Sequence, residues 1–333
     1  MKKICIIKLG ALGDVIRTLP VAQAIKKKYP DAEIDWITRK ESEGLVRGSQ
    51  YVDNVYTIPF NPQEAYDVLY NFDLEEEATS LASSITAKEK KGFYSQDGFP
   101  MAFNSGAEYY LNTLFDDELK KKNRKTYQQM MFEAADLDYK KEHFWIVLGK
   151  EDREYSQNFL DRNLLQDDRI VGIHLGASSR WPSKSWHPEN VKEFIRKANE
   201  KDRLILLFGG PNEIEKHAQL IKELSAEGIN VYRNNPHNST KEFASLVDLC
   251  DVIVCSDSFA LHVALALKKP SIGLFFVTSP HEIEDYGLLK KVVSPRLEEF
   301  FPEKSDEYDE NLTKSIAPEE VLALVEEILS DKD

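Results

Sequence analysis

Four stretches carry glycines, hydroxyls and charges directly after an apolar run, where a loop can hold reactive groups at the edge of a sheet. The first is residues 8–20, KLGALGDVIRTLP: Lys8 ends the run, Gly10 and Gly13 lie in the turn, and Asp14 opens a helix. An acid there is usually a helix cap, worth ~1 kcal/mol. The alternative is a general base at the mouth of a cleft, kept ionised by the helix dipole and made more basic by burial. The glycines do not form GxGxxG, and Asp14 would repel a dinucleotide pyrophosphate at that place.

The second stretch, residues 173–186 (IHLGASSRWPSKSW), joins Gly176, Ala177, Ser178 and Ser179 to the cations Arg180 and Lys184. Such a loop can approach a phosphate closely and neutralise it, or it is a surface loop pinned by Trp181 and Trp186. In the third, residues 208–213 (FGGPNE), Glu213 is either a helix-start acid or an acceptor for two ribose hydroxyls. The fourth, residues 251–270 (DVIVCSDSFALHVALALKKP), runs from a buried strand through Ser256, Asp257 and Ser258 into a helix that Pro270 stops. The first N–H groups of such a helix form an anion site; the plainer reading is a joint capped by Asp257 or Ser258. His262, one turn in, faces either that anion or a backbone carbonyl.

Positioning these groups takes repeated strand–helix units. Strands are expected at 3–9, 33–38, 54–58, 68–72 and 91–94, with helices at 14–28 and 75–85. Residues 95–125 read as irregular, followed by a helix at 126–135. A connecting helix at 151–164 precedes a second series of strands at 169–175, 203–208, 229–232, 252–255 and 271–276. Its helices are expected at 188–199, 212–226, 239–249 and 318–329, and Ser239 with Glu242 forms a capping box. Two such series predict two α/β domains with parallel sheets: 1–165, 166–316, and a C-terminal helical segment 317–333 expected to pack back on the first domain.

The chain of 333 residues carries a net charge of −14. Residues 298–333 alone hold 13 acids against 3 bases, so the acidity does not oppose an anionic ligand elsewhere. No basic face interleaved with aromatics marks a nucleic-acid partner. The run 120–125 (KKKNRK) reads first as a solvated face and second as a contact for anionic lipid. No apolar run approaches the ~18 residues of a membrane span, and the first residues enter a strand without a signal peptide. Cys5, Cys250 and Cys255 are expected as reduced, buried thiols of a cytosolic protein. Asp136 and Asp138 form a DxD, but at a helix end, so no metal is expected there.

In order and in kind, the four motifs resemble those of glycosyltransferase family 9, the heptosyltransferase-like enzymes, over nearly the whole chain. The resemblance implies a GT-B fold of two Rossmann-like domains facing a central cleft. It implies an inverting, metal-independent transferase without cofactor, moving a sugar, heptose from ADP-heptose, to a lipopolysaccharide-core or related glycan acceptor. The setting would be cytoplasmic, with peripheral contact at the inner face of the inner membrane. Asp14 would be the base, and Lys184 would stabilise the departing diphosphate. Ser178, Ser179, Glu213, Asp257, Ser258, Phe259 and His262 would hold the donor, while Lys8, Gly10 and Gly13 form the acceptor-side loop.

Phe259 stands where the family usually has Gly, and Phe276–Val277 stand in place of Gly-Pro. Both changes are expected to fill space next to phosphate, with Phe259 turning its ring into the cleft. They keep open a nucleotide- or sugar-binding protein without turnover. A non-hydrolysing nucleotide-sugar epimerase, which shares the fold, is the other alternative.

Overall fold

The structure, a computed structural model, describes residues 1–62, 64–165, 169–176 and 180–331. The chain divides into one unit of Met1–Val147 with His281–Glu284 and a second of Leu148–Pro280 with Asp285–Asp333. Each has its own six-stranded sheet.

In the first unit the elements run β1 (Lys3–Ile7), α1 (Leu12–Lys28), β2 (Glu33–Thr38), α2 (Glu43–Arg47), β3 (Asn54–Thr57) and β4 (Tyr66–Asn71). There follow α3 (Glu76–Ser84), β5 (Ala87–Gln96), β6 (Phe99–Ala102), α4 (Ser105–Asn112), α5 (Asp117–Lys122) and α6 (Tyr127–Ala134). The strand order is β3-β2-β1-β4-β5-β6, parallel except for the β5–β6 hairpin. Strands buried on both faces need apolar residues at consecutive positions, and β1 supplies them. Ile4 and Ile6 join Trp36, Val68 and Tyr70 under α1, α4 and α6; Cys5 and Ile7 join Ile37 and Leu69 on the side of α3.

The hairpin lies inside the stretch expected to be irregular, and β5 is longer than the expected 91–94 strand. Its turn is Asp97–Gly98, both at positive φ (52° and 84°). Asp-Gly is a strong short-range hairpin signal. The lysines of β5 obscured it, because an outer strand tolerates charges that a central one would not.

The second unit comprises α7 (Lys150–Asn163), β7 (Ile170–His174), α8 (Pro188–Asn199), β8 (Leu204–Phe208), α9 (Ile214–Ala226), β9 (Val231–Arg233) and α10 (Thr240–Leu249). It continues with β10 (Val252–Ser256), α11 (Phe259–Ala266), β11 (Ser271–Phe275), β12 (Leu289–Val293), α12 (Leu297–Phe300), α13 (Glu310–Lys314) and α14 (Pro318–Ser330). All strands are parallel in the order β12-β11-β10-β7-β8-β9. The chain leaves β7 toward β8 and β9, then crosses to β10, so β7 and β10 flank the switch point where such sheets bind ligands. The Ser239–Glu242 capping box forms as the sequence implies.

Two boundaries differ from expectation. The division falls after Val147 rather than Leu165, because α7 packs against α10 of the second unit. The C-terminal helix belongs to the second unit instead of returning to the first: α14 lies on α8 and buries Val321, Val325 and Leu329 in that core. Arg203 forks onto Glu326 (2.9 and 2.7 Å), and Arg169 donates to the Leu329 carbonyl (2.6 Å). An amphipathic pattern gives the buried face of a helix but not the partner that buries it.

Candidate active site

In the first unit a carboxylate closes the turn after β1. Asp73, just past β4, accepts from the amides of Leu9 (2.9 Å) and Gly10 (3.1 Å) and lies 3.4 Å from the buried ammonium of Lys8. Lys8 also donates to the Phe72 carbonyl (3.2 Å). Asn71 fixes Asp73 by accepting from its amide (3.0 Å) and donating to its carbonyl (3.0 Å). Burial alone would lower the Lys8 pKa, yet Asp73, helped by Tyr127 and Asp14, lifts it above the ordinary lysine range. The buried cation is therefore permanent, and the Gly10 amide that could have met a phosphate is already engaged.

Asp14 is the third residue of α1; the cap position belongs to Ala11. Its carboxylate pairs with Arg17, one turn along, and 29% of the side chain is exposed. The Arg17 guanidinium lies 4.1 Å from the centre of the Tyr127 ring, a stacking that fixes its direction. Tyr127 is buried beneath Lys8, 5.9 Å from its ammonium, with its hydroxyl 3.4 Å from that of Thr18. The structure thus joins Lys8, Gly10 and Asp14 with Arg17, which lies in the same stretch but was not singled out, and with Asp73 and Tyr127 from outside the four motifs. Asn71-x-Asp73 at the end of a buried strand was the available signal.

In the second unit, groups from two loops meet at the switch point. Lys184, ending the turn Pro182–Lys184, lies 3.1 Å from one oxygen of Asp257, just past β10. Nε2 of His262, in α11, is 3.6 Å from the other oxygen. The Lys184 loop is anchored from behind: Ser183 donates to the Glu307 carbonyl (2.8 Å), and the Trp186 indole donates to that of Ile316 (3.0 Å). Ser178 and Ser179 lie outside the described residues.

Ser258 occupies the cap position of α11, but its own hydroxyl makes no cap hydrogen bond. Its hydroxyl is turned instead toward Nδ1 of His174, at 3.3 Å. Burial, then neighbouring His217, pushes the His174 pKa down to about 4, so this imidazole is neutral at ordinary pH. The Phe259 ring leans on Phe243 (centroids 5.4 Å), which meets Phe208 edge to face in turn (5.2 Å). Phe276 and Val277 depart from expectation: their side chains are buried in the core cluster that also holds Val321, Val325 and Leu329 of α14, so they fill core. Ser305 binds the Val277 carbonyl (3.0 Å).

Glu213 is buried and accepts from the Gly210 amide (2.8 Å), the helix-start role. Its packing depends on Gly209, where an added Cβ would come within 2.7 Å of Glu213 Cβ and 2.8 Å of His217 Cε1. Burial, with Arg233 and Lys216 adding to it, lowers the His217 pKa to about 4. Asn234, just past β9, ties the turn by accepting from the Gly209 amide (3.0 Å) and donating to its carbonyl (3.1 Å). Asp136 of the DxD is held by Lys91 and Asn104 (2.8 Å each). Among the described residues, no three His, Cys, Asp or Glu side chains converge as metal ligands, and no helix is long and apolar enough to cross a membrane.

Residues 63–311 match the model of glycosyltransferase family 9 (heptosyltransferase). Lipopolysaccharide heptosyltransferase 1 of Campylobacter coli is 25% identical over 99% of this chain and 100% of its own. Among solved structures, a family 9 glycosyl transferase of Veillonella parvula superposes with a TM-score of 0.79 at 18% identity, covering 99% of this chain and 97% of that one. The ADP-heptose lps heptosyltransferase II of E. coli gives 0.75 at 18% identity, covering 99% of both.

Proposed function

Because the chain belongs to glycosyltransferase family 9, we propose that it transfers a heptose from ADP-heptose to a lipopolysaccharide-core acceptor. The observation that carries this reading is the meeting of Lys184, Asp257 and His262 at the start of α11. A diphosphate leaving group needs its growing charge neutralised, and a lysine beside a helix N-terminus does so through fixed dipoles. Asp257 holds Lys184 and His262 in place until the diphosphate takes over Lys184. Ser258 and the α11 amides bind phosphate oxygens, Glu213 offers its second oxygen to the ribose, and Phe259 borders the sugar. Ser178 and Ser179 complete the donor loop.

Asp14 takes the proton of the acceptor hydroxyl as that oxygen attacks the anomeric carbon. The bond from that carbon to the diphosphate breaks in the same step, so the product is inverted and ADP departs. Lys8, Gly10 and Gly13 shape the acceptor side. The enzyme would be cytoplasmic, use no cofactor and need no metal, since the protein supplies the positive charge itself.

The test measures ADP release with and without a core-glycan acceptor. Asp14→Asn should abolish acceptor-dependent release, a loss of at least ~100-fold, while ADP still raises the melting temperature. Equal release without any acceptor would reject a transferase and mark hydrolysis of the donor, and conversion of the donor to its epimer without net ADP release would favour an epimerase.

A further inference from the structure

We propose that His174 is a positioning residue for the donor: its Nδ1–H holds the Ser258 oxygen so that the Ser258 hydroxyl donates to a diphosphate oxygen. The proposal rests on the reading of the α11 start as the diphosphate site, and adds to that site a residue of the neighbouring strand. No motif in the sequence singled out His174.

His174 is the last residue of β7 and stands opposite Cys255 of β10 in the parallel register. Ser258 follows Cys255 by three residues, so both side chains reach the same sheet edge, with Nδ1 and Oγ 3.3 Å apart. A serine at a helix cap ordinarily accepts from an amide of the first turn. Here it makes no such bond and meets the imidazole instead. The imidazole is fixed on its other sides. Phe243 of α10 meets it edge to face (centroids 6.2 Å). Gly176 lies against its Cε1–Nε2 edge: an added Cβ there would come within 2.8 Å of Cε1, 3.0 Å of Nε2 and 3.1 Å of Glu213 Cδ. The ring therefore touches both the α11 start and the turn beside Glu213.

The direction of the hydrogen bond follows from the ligand. The oxygens of a sugar diphosphate are ionised and only accept, so Ser258 must give them its one proton. Its oxygen then accepts from His174, which places the ring proton on Nδ1 and leaves Nε2 bare. Burial keeps the ring neutral, with one N–H to place. The opposite tautomer would take the serine proton and turn an oxygen lone pair on the phosphate, which repels. Cys255 also neighbours this hydroxyl, but burial pushes its thiol up and keeps it protonated, a weak acceptor that a phosphate displaces. A donor chain set before the ligand arrives meets the charge of the departing diphosphate without rearranging.

The experiment is calorimetric titration of the full chain and its variants with ADP. His174→Phe keeps an aromatic ring against Phe243 but removes the N–H, and should weaken ADP about tenfold. His174→Asn offers an amide N–H where Nδ1–H stood, and should bring affinity back to within about threefold of the wild type. Ser258→Ala should lose about tenfold, and adding His174→Phe to it should lose nothing more, because the imidazole acts through that hydroxyl. Unchanged affinity in His174→Phe would overturn the proposal and leave the transferase reading standing. Losses that add in the double variant, or an Asn variant no better than the Phe one, would reduce His174 to a packing residue and overturn it too. A wild-type chain that does not bind ADP would overturn both readings together.

Discussion

Arg17 sets the conditions under which Asp14 can act as a base. A guanidinium stacked on Tyr127 and paired with the carboxylate holds one acid oxygen in a fixed direction and favours its ionised form. Replacing Arg17 by Met removes the cation and keeps much of the bulk. The acid limb of the kcat/KM profile should then move to higher pH, with kcat down by about tenfold or more; an unchanged acid limb would separate Arg17 from the chemistry. The neutral histidines of the second unit give a different pH signature. His174 and His217 are lowered to about 4 in the folded chain, against ~6.5 when unfolded. Below pH ~6.5 the unfolded chain takes up protons that the native one refuses, so stability falls from there toward pH 4. The loss should reach on the order of 2 kcal/mol per histidine by pH ~4.5, read from urea midpoints at successive pH values. His217→Asn should flatten that slope.

Among the elements, β5 is the one most constrained by a single residue. Gly92 sits at φ 85°, and a Cβ there would lie 1.8 Å from the Asn71 carbonyl oxygen. The strand must bend at this point so that Asn71 can reach both Phe93 and Asp73. Gly92→Ala should cost about 3 kcal/mol or more, visible as a lower denaturation midpoint. It should also weaken acceptor-dependent turnover, since Asp73 hangs from the same asparagine. The alternation of strand and helix was legible in the sequence because buried parallel strands impose apolar runs, and breaker residues mark their ends. The hairpin and β12 were not, because lysines break the apolar run on strands away from the sheet centre. At the site, residues in strand-to-helix turns stood out, Asp14, Lys184 and Asp257 among them. Asp73 did not, since only the folded chain brings it to the Leu9 and Gly10 amides, and neither did Arg17, whose direction is fixed by a distant Tyr127 ring.

For the molecule as a whole, two sheets with separate cores imply that a ligand leaves its mark on one of them. ADP should slow amide exchange around the loops after β7, β8 and β10 and leave β1–β4 unchanged. Protection of both sheets would refute the assignment of the donor to the second unit. The location of α14 was beyond the reach of pattern reading, because an amphipathic stripe can be covered by either neighbour. The two halves also differ at their first turns. In the first, Asp73 already holds the amides of Leu9 and Gly10, so that seat is taken by the protein's own carboxylate. The stoichiometry follows: calorimetric titration with ADP should saturate at a single equivalent per chain, although the architecture repeats twice.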